Sequence, residues 1–281
     1  MKRNGWMHLV LGAALVLGVG TAVAQGPGGG HRGPFGGPME LMGFEGMHGG
    51  KVVTGAPFSA TSTSTTNQTL QDGKATINRT VQGAIYRDSQ GRSRREVTFT
   101  GVGPLAAAGG THKMVAISDP VAGAHFMLNP DKKVAYKMTS PAGGTAAKAQ
   151  AFQQKMQARQ QQEEASGALK VESLGTQVVN GVSAEGTRTT RTIAAGEIGN
   201  SAPIQIVSER WYSPDLQTVV QSTRTDPRFG TTTFSLSNIQ KAEPAATLFT
   251  VPADYTVQAG GPGHGHHGGT VAGVAPAPPA N

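Results

Sequence analysis

Apolar and polar positions in the middle of the chain tend to alternate, and turn signals interrupt them at short intervals. Asp72-Gly73 and Asn180-Gly181 are the strongest of these signals, because such pairs suit the tight turns of β-hairpins. Between the turns, segments rich in Thr, Val and Ile predict about eleven strands. They cover residues 58–70, 75–87, 92–101, 112–118, 123–128, 134–138, 170–179, 182–193, 204–212, 217–225 and 231–240. The short connections favour a mainly β fold with an antiparallel sheet.

One segment departs from this pattern. Residues 145–166 are rich in Ala and Gln, which favour helix, and Gly167 provides a stop. Phe152 and Met156 form only a thin apolar stripe on this helix. The pattern predicts a surface helix over one side of the sheet, with a mobile lid as the alternative.

The predicted strand 204–212 carries large apolar groups on both of its faces. A strand with one face in water should alternate cleanly. The even-numbered face of this strand holds Ile204, Ile206 and Tyr212, and the odd-numbered face holds Val207, Glu209 and Trp211. The sheet should therefore be covered on both sides, by a helix, by a ligand or by its own curvature.

The N-terminus predicts export. Lys2 and Arg3 precede an uncharged apolar run over residues 9–20, which ends in Ala22-Val23-Ala24. This order is typical of a secretory signal peptide spanning residues 1–24, and the run is too short for a permanent membrane anchor. The predicted location is the periplasm or the cell exterior, with no membrane span in the mature chain.

Composition divides the remainder into a domain and two arms. Residues 25–50 and 259–281 are low-complexity, rich in Gly and Pro, and are predicted to be disordered, which leaves 51–258 as one β-rich domain. The absence of cysteine excludes disulfides and thiolate chemistry. The net charge of +7 is spread along the chain, and this does not indicate a nucleic-acid site.

The C-terminal part of the domain resembles a known group of exported proteins. The matching segments are WYSPDL (211–216), DPRFG (226–230), FSLSNI (234–239) and ATLFTVPADY (246–255). They are similar to the C-terminal end of the domain in the periplasmic lipoprotein-carrier, or outer-membrane lipoprotein-sorting, superfamily. The rest, including YRDSQGRSRRE (86–96), looks like an uncharacterised family of secreted β-rich proteins.

The resemblance implies a single strongly curved antiparallel sheet, a half-barrel, around an apolar groove with one or few covering helices. Helix 145–166 is poorer in apolar residues than the helices that plug the carriers' groove. This difference leaves the implied fold in place and weakens the implication of acyl-chain transport.

Catalytic motifs are absent from the sequence, so no enzyme activity and no cofactor are predicted. His112 and His125 are the histidines within the domain, and each is interpreted as a structural residue. Met39, Met42, Met47 and His48 in the first arm, and His264, His266 and His267 in the second, are possible metal ligands with nothing to fix their geometry. No metal site is therefore predicted.

The densest charge cluster lies at residues 92–96. Period-two geometry places Arg92, Arg94 and Glu96 on one face of the strand, and Arg95 on the other face with Val97 and Phe99. A buried arginine needs a partner, and Glu209 is the predicted one. The predicted ligand-binding residues are Arg95, Phe99, Glu209, Trp211 and Phe234.

A hydrolase or metal-dependent enzyme would need Glu209, His112 or His125 to cluster with other titratable residues in a cleft. Beside that alternative, two non-enzymatic functions remain open at this point. One is an exported, non-enzymatic binding domain that holds an apolar small molecule or an envelope protein in the groove. The other is a structural or interaction protein with a fully packed sheet and flexible arms. The oligomeric state is not predicted.

Overall fold

A computed structural model describes residues 52–70, 73–100, 110–138 and 146–260. Within these ranges β1 to β11 each lie within one residue of a predicted strand, while β12 was not predicted. The strands are β1 (Phe58–Thr69), β2 (Thr76–Arg87), β3 (Ser93–Thr100), β4 (Thr111–Asp119), β5 (Ala124–Asn129), β6 (Val134–Met138), β7 (Leu169–Val179), β8 (Val182–Ile193), β9 (Ile204–Ser213), β10 (Thr218–Asp226), β11 (Gly230–Gln240) and β12 (Thr256–Ala259).

The described strands form one curved, open sheet in the order β12-β6-β5-β4-β3-β2-β1-β11-β10-β9-β8-β7. All neighbours are antiparallel except β12, which pairs in parallel with β6. Short turns join most neighbours, whereas β11 and β12 are joined by a crossover that contains the 3-10 turn Ala246–Phe249. The predicted curved, mainly β fold is confirmed.

Both predicted hairpins are present in the sheet. Asn180 and Gly181 both have positive φ, 49° and 86°, which is the condition for a type I′ turn. At the other hairpin Asp72 lies outside the described residues, and the Leu70 amide donates to the Ala75 carbonyl over 2.8 Å. Turn chemistry therefore fixes the register of β7 with β8, and β1 pairs with β2 as a hairpin at the predicted place.

The helix α1 (Ala146–Ala165) begins and ends within one residue of the predicted segment. Gly167, with φ of 73°, follows its C-terminus. Its contacts with the sheet are mainly to β7, the edge strand, and Glu163 pairs with Arg191 of β8 over 2.7 Å. The side chain of Phe152 lies outside the described part, and the alternative of a mobile lid stays a prediction.

Buried apolar side chains form three clusters in the described chain. The first contains Phe58, Ala60, Ile85, Val179, Val182, Ala184, Leu216, Val220 and Leu236. The second contains Val81, Val97, Phe99 and Ala116, and the third contains Val115, Ile117, Leu128 and Ala135. Because Val115 and Ala116 are consecutive residues of β4, the second and third clusters lie on opposite faces of the sheet. Apolar side chains on both faces, which the sequence predicted for the strand at 204–212, are thus found on β4.

Candidate functional site

Three of the five predicted ligand-binding residues share one face of the sheet. Directly paired residues of an antiparallel sheet point to the same side, and alternate residues of a strand do so as well. On β1 this side carries the even-numbered residues 58–64, which are buried. Cross-strand pairs connect these positions to Phe234 on β11 and, through β2, to Arg95 and Phe99 on β3. We call this side the Arg95 face.

The other two residues lie on the opposite side. Glu209 and Trp211 of β9 pair through β10 and β11 with Thr65 and Thr63 of β1, which point away from the Arg95 face. We call this side the Thr63 face. The five predicted residues therefore do not form a single site.

The predicted ion pair between Arg95 and Glu209 is wrong. Glu209 pairs with Arg188, its direct neighbour on β8, over 2.6 Å. Four strands separate β3 from β9, which puts the two side chains roughly 24 Å apart along the sheet, in addition to their facing opposite ways. The sequence shows that each charge needs a partner, but strand order decides which partner is within reach.

The alternation predicted around Arg95 is confirmed by the register. Tyr86 pairs with Arg94 and Ile85 pairs with Arg95, so consecutive arginines point to opposite sides. On β4 the partner of Arg95 is Ala116, which in turn faces Met127 on β5. Arg95 is thus a half-buried cation within a row of mostly apolar neighbours.

The Arg95 face has an apolar floor beside this arginine. Val81, Val97, Phe99 and Ala116 are buried there. Met114 and Met127 pack against them and remain half-exposed. The sequence did not predict Met114 and Met127 as site residues. The available signal was that each is followed by a buried residue, Val115 or Leu128, which must point to the other face of the sheet. Flexible, polarisable thioethers suit the contact of irregular apolar surfaces.

A shallow cleft of about 350 Å³ opens at one end of this floor. Val81 and Phe99 contribute its apolar wall, and the exposed Arg79 contributes a guanidinium group. Its volume lies at the lower end of the range for small-molecule sites. A second cleft, of about 330 Å³, lies at the ends of β1, β2 and β11 and is lined mainly by polar side chains such as Asn67 and Thr231.

A second guanidinium group lies close to Arg95 on the same face. Arg87 is buried, donates from Nε and Nη2 to the Ala56 carbonyl over 3.0 and 2.8 Å, and also donates to the Leu216 carbonyl. Burial lowers the pKa of Arg87 to about 10, the nearby Tyr212 acts in the opposite direction, and the Arg95 charge lowers it further. Arg87 is therefore still protonated at neutral pH, so the face carries two neighbouring positive charges.

The Thr63 face of β3 to β6 is covered by the chain itself. Phe249 of the crossover is buried, and Val251 and Tyr255 pack against the third cluster. Arg94 donates to the Leu248 carbonyl over 3.1 Å and holds this segment against β3. No external ligand is needed to cover this part of the sheet.

The carboxylate of Glu96 balances the positive charges of Arg94 and Lys113 beneath the crossover. Its carboxylate contacts Arg94 and Lys113, each over 2.7 Å. Burial alone would raise the pKa of Glu96, but the hydrogen bonds from Lys113 and Arg94 outweigh burial and lower it. A carboxyl group with a lowered pKa stabilises the fold above its ordinary pKa, and this contribution disappears as the pH falls through the lowered value.

We expect Glu96→Gln to lower the free energy of unfolding by about 2 kcal/mol at neutral pH, because two cations lose their charged acceptor. The difference from the unmodified protein should shrink below about pH 4, where the unmodified side chain also becomes neutral. Urea unfolding at neutral and acidic pH measures both values. Glu172→Gln, which disrupts the exposed pair with Lys170, is the control and should change little. If the difference in the free energy of unfolding between Glu96→Gln and the unmodified protein stayed constant across pH, the charged role of Glu96 would be contradicted.

Trp211 lies in a packed position. Its ring contacts the first core cluster, and the position of a β-carbon at Gly186, its partner on β8, would be 2.6 Å from two ring atoms. Phe234 contacts the same cluster from the other face. Bulges beside Gln221 and Thr61 bend the strands here, so the cluster takes side chains from both faces. A ligand-binding role for these two aromatic residues stays a prediction.

His112 and His125 both lie on the Arg95 face. The ring of His112 is 5.8 Å from that of Phe99, and its Nδ1 is 3.9 Å from a carboxylate oxygen of Asp131. Among the described residues, no three His, Cys, Asp or Glu side chains are grouped as a metal site would need. The methionines and histidines of the two arms lie outside the described residues. In the same part of the chain, no helix has the length and apolar character needed to cross a membrane.

No protein-family model matches the chain, and no curated protein sequence matches it. Several solved structures are similar in architecture. A chain of the MucA/MucB complex from Pseudomonas aeruginosa is 12% identical with a TM-score of 0.37, covering 73% of this chain and 58% of that one. This chain thus spans little more than half of that protein.

Two further structures cover most of their own length. An uncharacterised conserved protein from Thermus thermophilus is 9% identical, with a TM-score of 0.37 and coverage of 79% of this chain and 99% of that one. A putative outer membrane lipoprotein-sorting domain from Vibrio parahaemolyticus is 11% identical, with a TM-score of 0.26 and coverage of 69% and 89%. The latter is of the group that the C-terminal segment resembles in sequence. At these identities and TM-scores, none of the likenesses assigns a function.

Proposed function

We propose that this chain is an exported, non-enzymatic binding domain that holds an apolar small molecule against the Arg95 face. The observation that carries the proposal is the floor made by Val97, Phe99, Met114 and Met127, which combines two buried side chains with two half-exposed methionines on one face of a curved sheet. Small-molecule sites are lined predominantly by apolar side chains of this kind.

The contrast between the two faces of β3 to β6 supports the same proposal. The Thr63 face is covered by the crossover, whose Phe249 is buried. The Arg95 face keeps Met114, Met127 and Tyr136 half-exposed, and Met138 is 36% exposed. Covering partly exposed apolar side chains with an apolar ligand removes their surface from water, and this contributes favourably to the free energy of binding.

The export part of the proposal rests on the N-terminal pattern. We propose that residues 1–24 are a signal peptide and that 51–258 form the binding domain between two low-complexity arms. The protein would then act in the periplasm or outside the cell. Its non-enzymatic nature is part of the proposal, because no motif in the sequence provides a nucleophile or a paired acid and base.

The experiment is a titration of the full chain with N-phenylnaphthylamine, a neutral apolar dye whose fluorescence rises on binding. We expect the double variant Met114→Gln and Met127→Gln to weaken dye binding about tenfold, because the floor loses apolar contact area. Native mass spectrometry of protein purified from its own host should also detect a co-purifying lipid.

The matched control is Val257→Gln on β12. Val257 is 54% exposed and pairs with Ala135, which places it on the Thr63 face. Dye binding by this variant should equal that of the unmodified protein. Absence of both dye binding and bound lipid in the unmodified protein would reject the proposal and favour the alternative, a structural or interaction protein with a fully packed sheet.

A further inference from the structure

Every methionine and histidine that the described strands carry lies on one face of the sheet. These residues belong to three adjacent strands, β4, β5 and β6, and the register places all of them on the Arg95 face. They are His112, Met114, His125, Met127 and Met138. Because consecutive residues of a strand point to opposite sides, the sulfur and imidazole donors of the sheet are collected on a single surface.

Three of these donors are close neighbours, and we call them the His125 cluster: His125, Met127 and Met138. His125 and Met138 are directly paired between β5 and β6. Directly opposed residues of an antiparallel pair have β-carbons about 4.5–5.5 Å apart, and diagonal neighbours such as Met127 and Met138 are about 7–8 Å apart. Met127 also follows His125 by two residues on the same strand. One imidazole ring and two long, flexible thioether side chains can converge on a single ion across these separations.

The His125 cluster is open to water. His125 and Met127 are half-buried, and Met138 is exposed. An ion can therefore reach all three side chains without any opening of the sheet. The other histidine of this face is placed differently, because the Nδ1 atom of His112 already lies 3.9 Å from a carboxylate oxygen of Asp131.

The chemistry of the cluster selects one kind of ion. Calcium and magnesium require oxygen ligands, and the carboxylate among the described residues of β4 to β6, Asp119, points to the Thr63 face. Thioether sulfur is a soft ligand that favours copper(I). The chain has no cysteine, so methionine and histidine are the soft metal ligands it can offer. A neutral set of soft ligands suits a monovalent soft cation.

We infer that His125, Met127 and Met138 form a copper(I) site, with an imidazole nitrogen and two thioether sulfur atoms as ligands. The sequence predicted no metal site, because nothing in the arms fixes the geometry of their methionines and histidines. Within the sheet, the pairing of β5 with β6 supplies that geometry. The inference does not depend on the proposed function, although Met127 takes part in both.

The test follows the methionine side chains directly. The full chain, isotopically labelled at its methionine methyl groups, is titrated with silver nitrate in chloride-free buffer and observed by NMR. Silver(I) has the charge and the soft character of copper(I) and needs no reductant. We expect the signals of Met127 and Met138 to shift. The signal of Met156 on α1, a helix that contacts mainly the far edge strand β7, should stay in place.

Substitutions assign the signals and test the ligands. Met127→Leu and Met138→Leu keep the apolar volume and should each weaken silver binding at the cluster. His125→Gln should weaken it at least about tenfold, since loss of even a hydrogen-bond partner of a metal ligand costs about 10–100-fold in affinity. The affinity is read from the remaining methyl signals of the cluster, so donors elsewhere in the chain do not contribute.

His112→Gln is the matched control, because it removes the same kind of side chain from the same face but outside the cluster. This variant should bind silver as the unmodified protein does. Zinc nitrate at equal concentration should leave the signals of Met127 and Met138 in place, because zinc prefers nitrogen, thiolate and carboxylate ligands.

Three results would overturn the inference. Shifts confined to the methionines of the first arm would place the metal outside the sheet. An unchanged silver affinity in a folded His125→Gln variant would remove the imidazole from the set of ligands. Equal shifts with zinc would contradict the preference for a soft cation. Each of these results leaves dye binding unaffected, so the proposed function is tested separately.

Discussion

Replacing Phe58 with alanine is expected to lower the free energy of unfolding by about 3–5 kcal/mol. Phe58 is only 2% exposed and belongs to the core cluster that joins β1, β2, β7, β8, β10 and β11. Truncation leaves a cavity that the surrounding strands can fill only in part, because their positions are set by hydrogen-bonded registers on both sides of β1.

A second loss adds to the cavity at this position. The guanidinium group of Arg87, the partner of Phe58 on β2, lies 4.8 Å from the centre of the phenyl ring. This cation–π contact is shielded from water because both side chains are buried. Its removal leaves a buried charge with carbonyl partners alone.

Phe58→Leu is the matched comparison, since it keeps most of the apolar volume and removes the ring. We expect it to cost about 1–2 kcal/mol, clearly less than alanine. Urea unfolding followed by circular dichroism gives both values. Equal costs for Leu and Ala would show that the ring, rather than the filled volume, stabilises this part of the core. A cost below about 1 kcal/mol for Ala would contradict the assignment of Phe58 to the core.

Gly83→Ala is the second substitution for which we expect a large effect, a loss of about 3 kcal/mol or more in the free energy of unfolding. Gly83 lies in the middle of β2, between Ser62 of β1 and Val97 of β3. A β-carbon at this position would overlap the main-chain carbonyl oxygen of Glu96 and lie 2.9 Å from Oγ of Ser62. The main chain of β3 would have to move to admit it.

The reason for a glycine here is the curvature of the sheet. Glycine within a strand often marks a bend or a close approach of two main chains, because no side chain stands between them. On the Arg95 face, Gly83 is flanked by Ser62 and Val97. If β3 moves away from β2 to admit a methyl group, the spacing of the side chains on this face should change. We therefore expect dye binding to the Arg95 face to change together with stability.

Thermal unfolding of Gly83→Ala and of the control Gln82→Ala tests this prediction. Gln82 is the preceding residue on the same strand and is exposed on the Thr63 face, so its replacement should cost less than about 0.5 kcal/mol. Similar melting temperatures for Gly83→Ala and the unmodified protein would mean that the main chain of Glu96 on β3 leaves room for a β-carbon at position 83 of β2.

Local features of the sequence predicted the strands well. The Asn180-Gly181 turn fixed one hairpin, and the turn signals between the remaining strands placed β1 to β11 to within one residue. The helix was found for the same reason, since Gly167 stops a run of helix-favouring residues. Alternation also placed Arg94 and Arg95 on opposite faces, because side-chain direction in a strand depends only on the backbone geometry of neighbouring residues.

The strand β12 could not be found in this way. It has four exposed residues, and it forms because the preceding crossover packs Phe249 and Tyr255 on the sheet and carries the chain to the free edge of β6. A short strand whose side chains are all exposed and which pairs with the edge of a sheet leaves no apolar pattern of its own in the sequence.

The sequence by itself determined which residues of β1 to β11 are extended, where the chain turns between them and which side chains share a strand face, since each of these depends on a few consecutive residues. Only the tertiary structure decided that Glu209 pairs with Arg188, that Trp211 and Phe234 lie on opposite faces, and that the crossover covers one side of β3 to β6. These outcomes depend on the order of the strands and on the bulges that bend them. Strand order is set by the burial of the whole sheet, a sum over residues far apart in the chain that no local pattern contains.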